Sequence, residues 1–411
     1  MLDMDIFTII NYQGSKKNLL EFIHDNLDQY INEKDVILDV FAGTSSVAYS
    51  YKRTNVVYAN DAEVYASTMA RALLYDYNDS FVELDKVKKA FLGYKNPDSR
   101  YDFWIDVEKK AIVEENIEEL VKLYSEIPTI WENGSKWFSS RDEYSLFVKY
   151  YSTSYFGIKQ ARDIDALRYA IEKVGGISKD VYLAALFYAM KECVLSKDGH
   201  MAQPLDLRKN KSRVFRLRTK DIYTLFLQKM DEFSSDSFVH SVGENKVYNS
   251  NFEDLINDAE CLKDVTVIYA DPPYTDMQYS RYYHILNTVV EYDYPDVTKN
   301  GEKYTKGLYL ENRFQSQLSQ KSKCLKSMEK LISFSNKNNI TLVISFAYPK
   351  DVTVQKTDRY VMDIEDLIDL CKRYYSPSKV HALTQDYEHS NNRNSETKKV
   401  LEYLIICERE G

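Results

Sequence analysis

The sequence predicts an α/β protein in which a doubly wound sheet is interrupted by a mostly helical insertion. Residues 19–74 show a strand, turn, helix, strand order, and further strand-like runs appear only after residue 246. Amphipathic stretches at helical spacing fill the segment between them. At 411 residues and 44% apolar content, the chain has room for two or three domains. We therefore predict a discontinuous sheet domain at 1–75 and 246–411, which encloses an inserted domain at 76–245.

Each element of the first block follows from a local pattern. Apolar residues at Leu19, Leu20, Ile23, Leu27 and Ile31 recur at helical spacing. The run VILDVFAG predicts a short buried strand that ends at a glycine, SSVAYSYKR predicts a helix, and NVVYANDAE predicts a second strand. This order is the opening of a doubly wound sheet.

The later elements follow from the same two periodicities. In the middle segment, FVELDKVKKAFLGY, NIEELVKLYSEI and DIDALRYAIEKV are amphipathic and predict helices. In the last segment, DVTVIYADPPY, NNITLVISFAYP and VLEYLIIC are short runs rich in Val and Ile, which favours parallel strands, although runs this short also suit buried helices. The polar stretch QDYEHSNNRNSETKK predicts a loop before the last strand.

Cysteine spacing and hydropathy argue against secreted and membrane proteins. The five cysteines are far apart, so they predict neither a C-x-x-C metal site nor a disulfide framework. The apolar run Val181–Leu195 is too short to span a bilayer and contains Lys191 and Glu192. The N-terminus is acidic where a secretory leader is basic. We expect a cytoplasmic protein with no membrane partner.

The distribution of charge along the chain is compatible with an anionic partner such as nucleic acid. With 63 acidic and 54 basic residues the net charge is −9, which by itself disfavours nucleic acid. Arg208–Lys220 nevertheless contains seven Lys or Arg and no acid, and Lys321–Lys330 contains four Lys against one Glu. Because a net-acidic protein must concentrate positive charge to hold DNA, we predict phosphate contact for the first stretch; a solvated face is the alternative.

The tetrapeptide Asp271-Pro272-Pro273-Tyr274 is the most informative motif. It follows the predicted strand Val265–Ala270, at the end where open α/β sheets bind ligands. The two prolines fix φ and remove backbone donors, so the arm presents a carboxylate, a bare carbonyl and an aromatic ring. An exocyclic amine needs two acceptors and a flipped base needs a stacking partner, which this arm supplies. An ordinary proline turn is the alternative.

Five segments together resemble the Dam-type alpha group of amino-DNA methyltransferases: NYQGSK (11–16), DVFAGTSSVA (39–48), AND (59–61), NSNFEDL (249–255) and DPPY (271–274). Their order matches, with a long insertion where the family carries its target-recognition domain. The resemblance implies a class I S-adenosylmethionine-dependent methyltransferase sheet with a mostly helical inserted target-recognition domain. It also implies S-adenosyl-L-methionine as cofactor and N6-methyladenine in DNA as product.

The resemblance implies that residues of four motifs bind the cofactor, namely Tyr12, Gly14, Lys16, Asp39, Phe41, Ala42, Gly43, Thr44, Asp61 and Phe252. Gly43 lets a ligand approach the backbone at a helix start, and the absence of G-x-G-x-x-G disfavours NAD. The Asp39 carboxylate suits the cofactor's ammonium. Asp61 suits ribose hydroxyls, with Glu63 as substitute, although such a residue is also a common helix cap. Asn251 replaces an acid that relatives often carry, which puts an acceptor role there in doubt.

The residues expected to bind nucleic acid are basic or polar and lie in three segments: Arg208, Lys209, Lys211, Arg213, Tyr279, Arg281, His389, Ser390 and Arg393. The run around Tyr279 predicts either a loop over an extruded base or a core helix that buries Tyr283, Leu286 and Val290. The last three residues resemble a late motif of the family, and a solvated turn is the alternative.

These patterns predict methyl transfer to N6 of an adenine flipped out of duplex DNA, with no metal required. A cognate restriction endonuclease is a further partner if the chain serves a restriction-modification system. Three alternatives stay open: methylation of adenine in RNA, methylation of cytosine N4 in DNA, and a non-catalytic module that binds cofactor and DNA. The large insertion favours duplex DNA, and the intact Asp271 favours catalysis.

Overall fold

The fold is described by a computed structural model of the chain. The residues that it describes are 6–11, 14–77, 83–95, 98–134, 144–176, 178–197, 200–235, 240–352, 357–389 and 398–411.

A seven-stranded sheet forms the centre of the described structure. Its strands are β1 (Val36–Asp39), β2 (Val56–Asn60), β3 (Lys246–Tyr248), β4 (Val267–Ala270), β5 (Thr341–Pro349), β6 (Val380–His389) and β7 (Lys398–Cys407). The spatial order is β3-β2-β1-β4-β5-β7-β6, and only β7 runs antiparallel to its neighbours. This mostly parallel sheet is consistent with the methyltransferase fold that the resemblance implies.

Helices surround the sheet and fill the insertion. The helices before the insertion are α1 (Leu20–Leu27), α2 (Ser46–Tyr51) and α3 (Val64–Leu74). Those of the insertion are α4 (Leu84–Leu92), α5 (Arg100–Val113), α6 (Ile117–Glu126), α7 (Ile130–Asn133), α8 (Leu146–Tyr150), α9 (Ile158–Val174), α10 (Lys179–Cys193), α11 (Lys211–Arg218) and α12 (Ile222–Phe233). Those after it are α13 (Phe252–Asn257), α14 (His284–Glu291), α15 (Cys324–Lys337) and α16 (Ile364–Tyr374).

The elements predicted from periodicity are present, and the two edge strands were missed. β3 has only three residues, too few to show an alternating pattern. β6 includes residues 385–389, which the sequence predicts as part of a polar loop. That prediction is wrong because β6 lies at the sheet edge and pairs along its length with β7, so a strand there tolerates polar side chains.

The sheet is covered on both faces, as its alternating side chains require. Leu38, Ile268 and Ile344 point into a core formed with α13, α15 and α16. Ile37 and Val267 point into the opposite core, which contains α1, α2 and α3 and continues without a break into the helices of the insertion. The insertion therefore shares a hydrophobic core with one face of the sheet.

The strand order places a ligand-binding crevice between β1 and β4. From β1 the chain proceeds outward to β2 and β3, whereas from β4 it proceeds in the other direction to β5. Ligands of open α/β sheets bind outside the carboxyl ends of the strands at this switch point. Asp39 ends β1, and Asp271 directly follows β4.

None of the helices that the structure describes is both long and apolar enough to cross a bilayer. The five cysteines are free, and all except Cys261 are buried.

Candidate active site

A cleft opens at the carboxyl ends of β1, β2 and β4. It brings together most of the residues predicted from the motifs, namely Gly14, Lys16, Asp39, Phe41, Ala42, Gly43, Thr44, Asp61, Phe252, Asp271, Pro272, Pro273, Tyr274 and Tyr279. Segments far apart in the chain thus form one site, because parallel strands end at the same sheet edge.

The structure gives no side-chain position for four of the predicted site residues. Tyr12, Ser390 and Arg393 lie outside the described residues, and His389 is described only through its backbone at the end of β6. Their assignments stay predictions.

Asp39 has a buried carboxylate oxygen that is suited to a cationic ligand. Its side chain is 2% exposed, and its Oδ1 has no hydrogen-bond partner among the described residues. Burial, reinforced by the charges of Asp271 and Asp61, raises the pKa of Asp39 to about 8. Since a buried carboxylate oxygen without a partner is unfavourable, a cationic donor at this position would supply a hydrogen bond and favour the charged form.

Asp61 organises the turn beneath the cleft. Its two carboxylate oxygens accept hydrogen bonds from the backbone N–H groups of Gly43 and Glu63, each at 2.9 Å. Gly43 has a φ of +50°, a backbone conformation that favours glycine. α3 begins at Val64 with Glu63 as its N-cap residue, so Asp61 holds the turn before the helix and does not cap it as the alternative interpretation predicts. Each of its oxygens still has a lone pair for a ligand hydroxyl. Glu63 is buried and accepts a hydrogen bond of 2.5 Å from Asn287.

Gly14 lets the N-terminal segment approach the residues after the DPPY arm. Its φ is +90°, and a Cβ at this position would lie 2.9 Å from the hydroxyl of Tyr279. The next residue, Ser15, accepts a hydrogen bond from the backbone N–H of Lys17 and so caps the short helix that begins at Lys16.

A buried ionic network holds the carboxylate of Asp271. Lys16 Nζ lies 3.1 Å from Asp271 Oδ1 and 2.8 Å from Glu402 Oε1. Glu402 lies on β7, is 1% exposed and also accepts a 2.5 Å hydrogen bond from Ser345 on β5. Sequence reasoning missed Glu402, although an acid inside the apolar run VLEYLIIC was a usable signal, because carboxylates are almost never fully buried without a partner.

The network sets the ionisation of Asp271. Burial raises the pKa of Asp271 to about 6; the nearby Lys16 opposes this rise and Glu402 adds to it. Burial lowers the pKa of Lys16, but attraction to Asp271 and Glu402 outweighs it and holds that pKa well above its ordinary value. At neutral pH, Asp271 is therefore ionised and Lys16 protonated.

The ring of Tyr274 is held at the cleft by aromatic neighbours. Its centroid lies 6.1 Å from that of Phe346, edge to face, and 6.3 Å from that of Tyr360 in a stacked orientation. Tyr360 belongs to a segment that braces the arm, since the backbone N–H of Val361 donates to the carbonyl of Tyr274 at 3.2 Å. Sequence reasoning gave no indication of Tyr360.

The run after DPPY contains both structures that the sequence left open. Tyr279 lies in the cleft wall, at the start of the 3-10 turn Tyr279–Arg281, and its predicted contact with an extruded base stays a prediction. α14 begins at His284, and Tyr283 and Leu286 are buried in the core, as predicted for a helix. The third predicted core residue, Val290, is only partly buried, whereas its neighbour Val289 is fully buried. The core therefore begins only four residues after a cleft residue.

Several cations of the basic stretch Arg208–Lys220, which is predicted to contact DNA, form ion pairs or hydrogen bonds within the protein instead. Arg208 pairs with Glu118 at 2.8 Å on the surface, and Lys220 pairs with Glu192 at 2.5 Å. Arg218 is buried and donates to backbone carbonyls of residues 154 and 155. Besides Arg208, the exposed cations of this stretch are Lys209, Lys211 and Arg216, while Arg213 is half-buried.

Comparison with known proteins gives the family. The chain matches the model of the D12 class N6 adenine-specific DNA methyltransferases over residues 12–340. It is 25% identical to modification methylase LlaI of Lactococcus lactis subsp. lactis, with 97% of this chain and 55% of that protein covered. It is 22% identical to modification methylase StsI of Streptococcus sanguinis, with 97% and 52% covered.

A third relative is similar in length. The chain is 24% identical to the type II methyltransferase M.NlaIII of Neisseria lactamica, and the alignment covers 97% of this chain and 99% of that protein. By contrast, the chain spans about half the length of the LlaI and StsI proteins. Because the matched region includes the cleft from Gly14 to Tyr279, the chain belongs to the D12 class N6 adenine-specific DNA methyltransferase family.

Proposed function

We propose that the chain is a site-specific DNA methyltransferase that transfers a methyl group from S-adenosyl-L-methionine to N6 of an adenine flipped out of duplex DNA. One observation carries the proposal: Asp39, whose buried Oδ1 has no partner among the described residues, and the amine-accepting arm at Asp271 line the same cleft. The family and the relatives named as modification methylases support the same reaction.

The described residues fit the cofactor. Asp39 Oδ1 suits its ammonium, Asp61 or Glu63 its ribose hydroxyls, and the edge-to-face rings of Phe41 and Phe252, 5.2 Å apart, its adenine. When bound, S-adenosyl-L-methionine supplies an electrophilic methyl group on sulfonium.

The chain's own residues then prepare the amine. The N6 nitrogen is a poor nucleophile because its lone pair is delocalised into the ring. The carboxylate of Asp271 and the carbonyl of Pro272 accept hydrogen bonds from its two N–H groups and so favour tetrahedral geometry, and the amine releases one of these protons when the N–C bond forms. Lys16 holds Asp271 in its ionised form and in place. Stacking on Tyr274 offsets part of the cost of unstacking the base.

We expect Asp39→Asn to weaken binding of S-adenosylhomocysteine by about 10- to 100-fold, the loss typical of a hydrogen bond to a charged group. In the wild type, the pKa of Asp39 is about 8 before binding, and an ammonium partner lowers it. Binding therefore releases a proton, and affinity rises with pH between about 6 and 8. Calorimetry in two buffers of different ionisation enthalpy measures both effects. A variant that keeps this pH dependence would contradict the assignment.

We expect Tyr274→Phe to retain most methylation activity and Tyr274→Ala to lose about 10- to 100-fold in kcat/KM, because base–aromatic stacking contributes about 1–3 kcal/mol. Steady-state methylation rates on the same DNA measure the difference. Equal rates for the wild type and both variants would remove the stacking role.

We further propose that the insertion at 76–245 is the target-recognition domain. Its contacts with the cleft surroundings support this role: the backbone N–H of Met201 donates to the carbonyl of Tyr282 at 2.7 Å, and the hydroxyl of Tyr155 donates to the carbonyl of Gly307 at 3.0 Å. We also place the chain in a restriction-modification context, with a cognate endonuclease as partner, because two relatives are named modification methylases.

The test incubates the purified chain with S-adenosyl-L-methionine and, separately, unmethylated genomic DNA and total RNA. Each is then digested to nucleosides for mass spectrometry, with Asp271→Ala as control. N6-methyldeoxyadenosine that is absent from the control is the expected result. Methylated RNA, or N4-methyldeoxycytidine, would overturn the substrate. Cofactor binding with no methylation of either nucleic acid would favour a non-catalytic module.

A further inference from the structure

Two arginines meet at one tyrosine on the rim of the cleft. The guanidinium carbon of Arg281 lies 4.9 Å from the ring centroid of Tyr309, and that of Arg313 lies 5.9 Å from the same centroid. Among the residues that the structure describes, neither arginine forms an ion pair with a carboxylate. This contrasts with Arg359 nearby, whose Nε lies 3.7 Å from Asp276.

Hydrogen bonds tie the two segments that carry these arginines into one rim. The side chain of Gln278 accepts from the backbone N–H of Ser316 at 2.9 Å, and Ser319 donates to the carbonyl of Met277 at 3.1 Å. Gln278 and Ser316 themselves line the cleft. The position of the arginines relative to the cleft is therefore fixed on both sides by direct contacts.

The rim places the positive charges of Arg281 and Arg313 beside the exposed ring of Phe314. Burial and the charge of Arg281 both lower the pKa of Arg313, which shows that the two cations repel each other. An anion placed between the two guanidinium groups would attract both and so offset this repulsion. Phe314, next in the chain, lines the cleft and is 36% exposed. A ligand at the rim thus meets cations and an apolar ring together, the combination that a nucleotide strand fits.

We infer that Arg281 and Arg313 form a phosphate-binding rim for the DNA strand that carries the target base. The inference rests on the proposed function, because a base that enters the cleft brings its flanking phosphates to the cleft edge. Arginine suits this role, since its planar fork binds phosphate oxygens bidentately and stacks on aromatic rings. Sequence analysis assigned Arg281 to DNA within a loop but gave no role to Arg313 or Tyr309.

The test measures binding of the chain to a fluorescein-labelled duplex of mixed sequence by anisotropy, over a series of salt concentrations. We expect Arg281→Gln and Arg313→Gln each to reduce the slope of log K against log salt by about 0.9 for each phosphate that the variant no longer neutralises. The double variant should bind at least about tenfold more weakly at low salt. The matched control is Arg373→Gln, an exposed arginine on α16.

Calorimetric titration with S-adenosylhomocysteine shows whether the variants keep an intact cleft. Unchanged cofactor affinity with a smaller salt slope supports the inference. A slope equal to that of the wild type, or the same decrease in the control, overturns it, as does a wild type that does not bind the duplex. Failure of the proposed function is recognised separately, since a wild type that methylates no DNA can still be tested for the salt slope.

Discussion

Replacing Asp271 by alanine is expected to abolish methyl transfer while cofactor binding is largely retained. In the proposed mechanism, Asp271 supplies the acceptor that draws the amine toward tetrahedral geometry, and removal of one such preorganised group typically lowers kcat by about 10² to 10³. Most of the residues that we propose to bind the cofactor, such as Asp39, Gly43 and Asp61, lie on β1 and the loops after β1 and β2, so they are not removed by the change. Single-turnover methylation and calorimetry with S-adenosylhomocysteine measure the two effects independently.

The control for this change is Asp276→Ala, five residues further along the same loop. Asp276 is 53% exposed and faces Arg359, so its removal changes the charge of the loop by the same amount without entering the cleft. Near-normal activity of the control is expected. If Asp271→Ala methylates at the wild-type rate, the mechanism is wrong.

The positions of the central site residues were predictable because the backbone alone decides them. Asp39 and Asp271 end or follow neighbouring parallel strands, whose carboxyl ends necessarily meet at one edge. Gly43 was predictable because it stands directly between a strand and a helix start. In each case the strand-like pattern of apolar residues and one turn residue were enough to predict the position.

The Glu402 contact could not be predicted, because it depends on strand register. Glu402 lies opposite Ala347, two residues beyond Ser345, and only this antiparallel register brings its carboxylate to Lys16. A shift of one residue would turn the side chain to the other face of the sheet. No local pattern encodes that pairing.

The basic stretch shows a second limit of sequence reasoning. A count of cations does not reveal which acids lie opposite them in the fold. Glu118 and Glu192 belong to α6 and α10, and their pairing with Arg208 and Lys220 exists only after the insertion folds. The rim arginines show the converse case, because isolated cations in sequence come together across Tyr309.

Replacing Glu402 by glutamine is expected to lower kcat about tenfold and to shift the acid limb of the pH–rate profile to lower pH. Asp271 must be ionised to accept the amine hydrogens, so the wild-type rate falls as the pH falls through its pKa of about 6. The negative charge of Glu402 raises that pKa, so its removal lowers it. The rate itself falls because Lys16 loses one of its two anionic anchors and Asp271 its fixed position.

The expected shift of the acid limb arises from the lost charge of Glu402, so it can be distinguished from an effect of lost packing. The charged or titratable groups that interact electrostatically with Asp271 are Lys16, Glu402, Asp39, Tyr269, Tyr274 and Tyr279. Ser345→Ala is the matched control, because it removes the hydroxyl that donates to Glu402 and keeps every charge. We expect its acid limb to coincide with that of the wild type. Thermal melting verifies that both variants are folded. An unmoved acid limb in folded Glu402→Gln would mean that Glu402 acts on the site through packing alone.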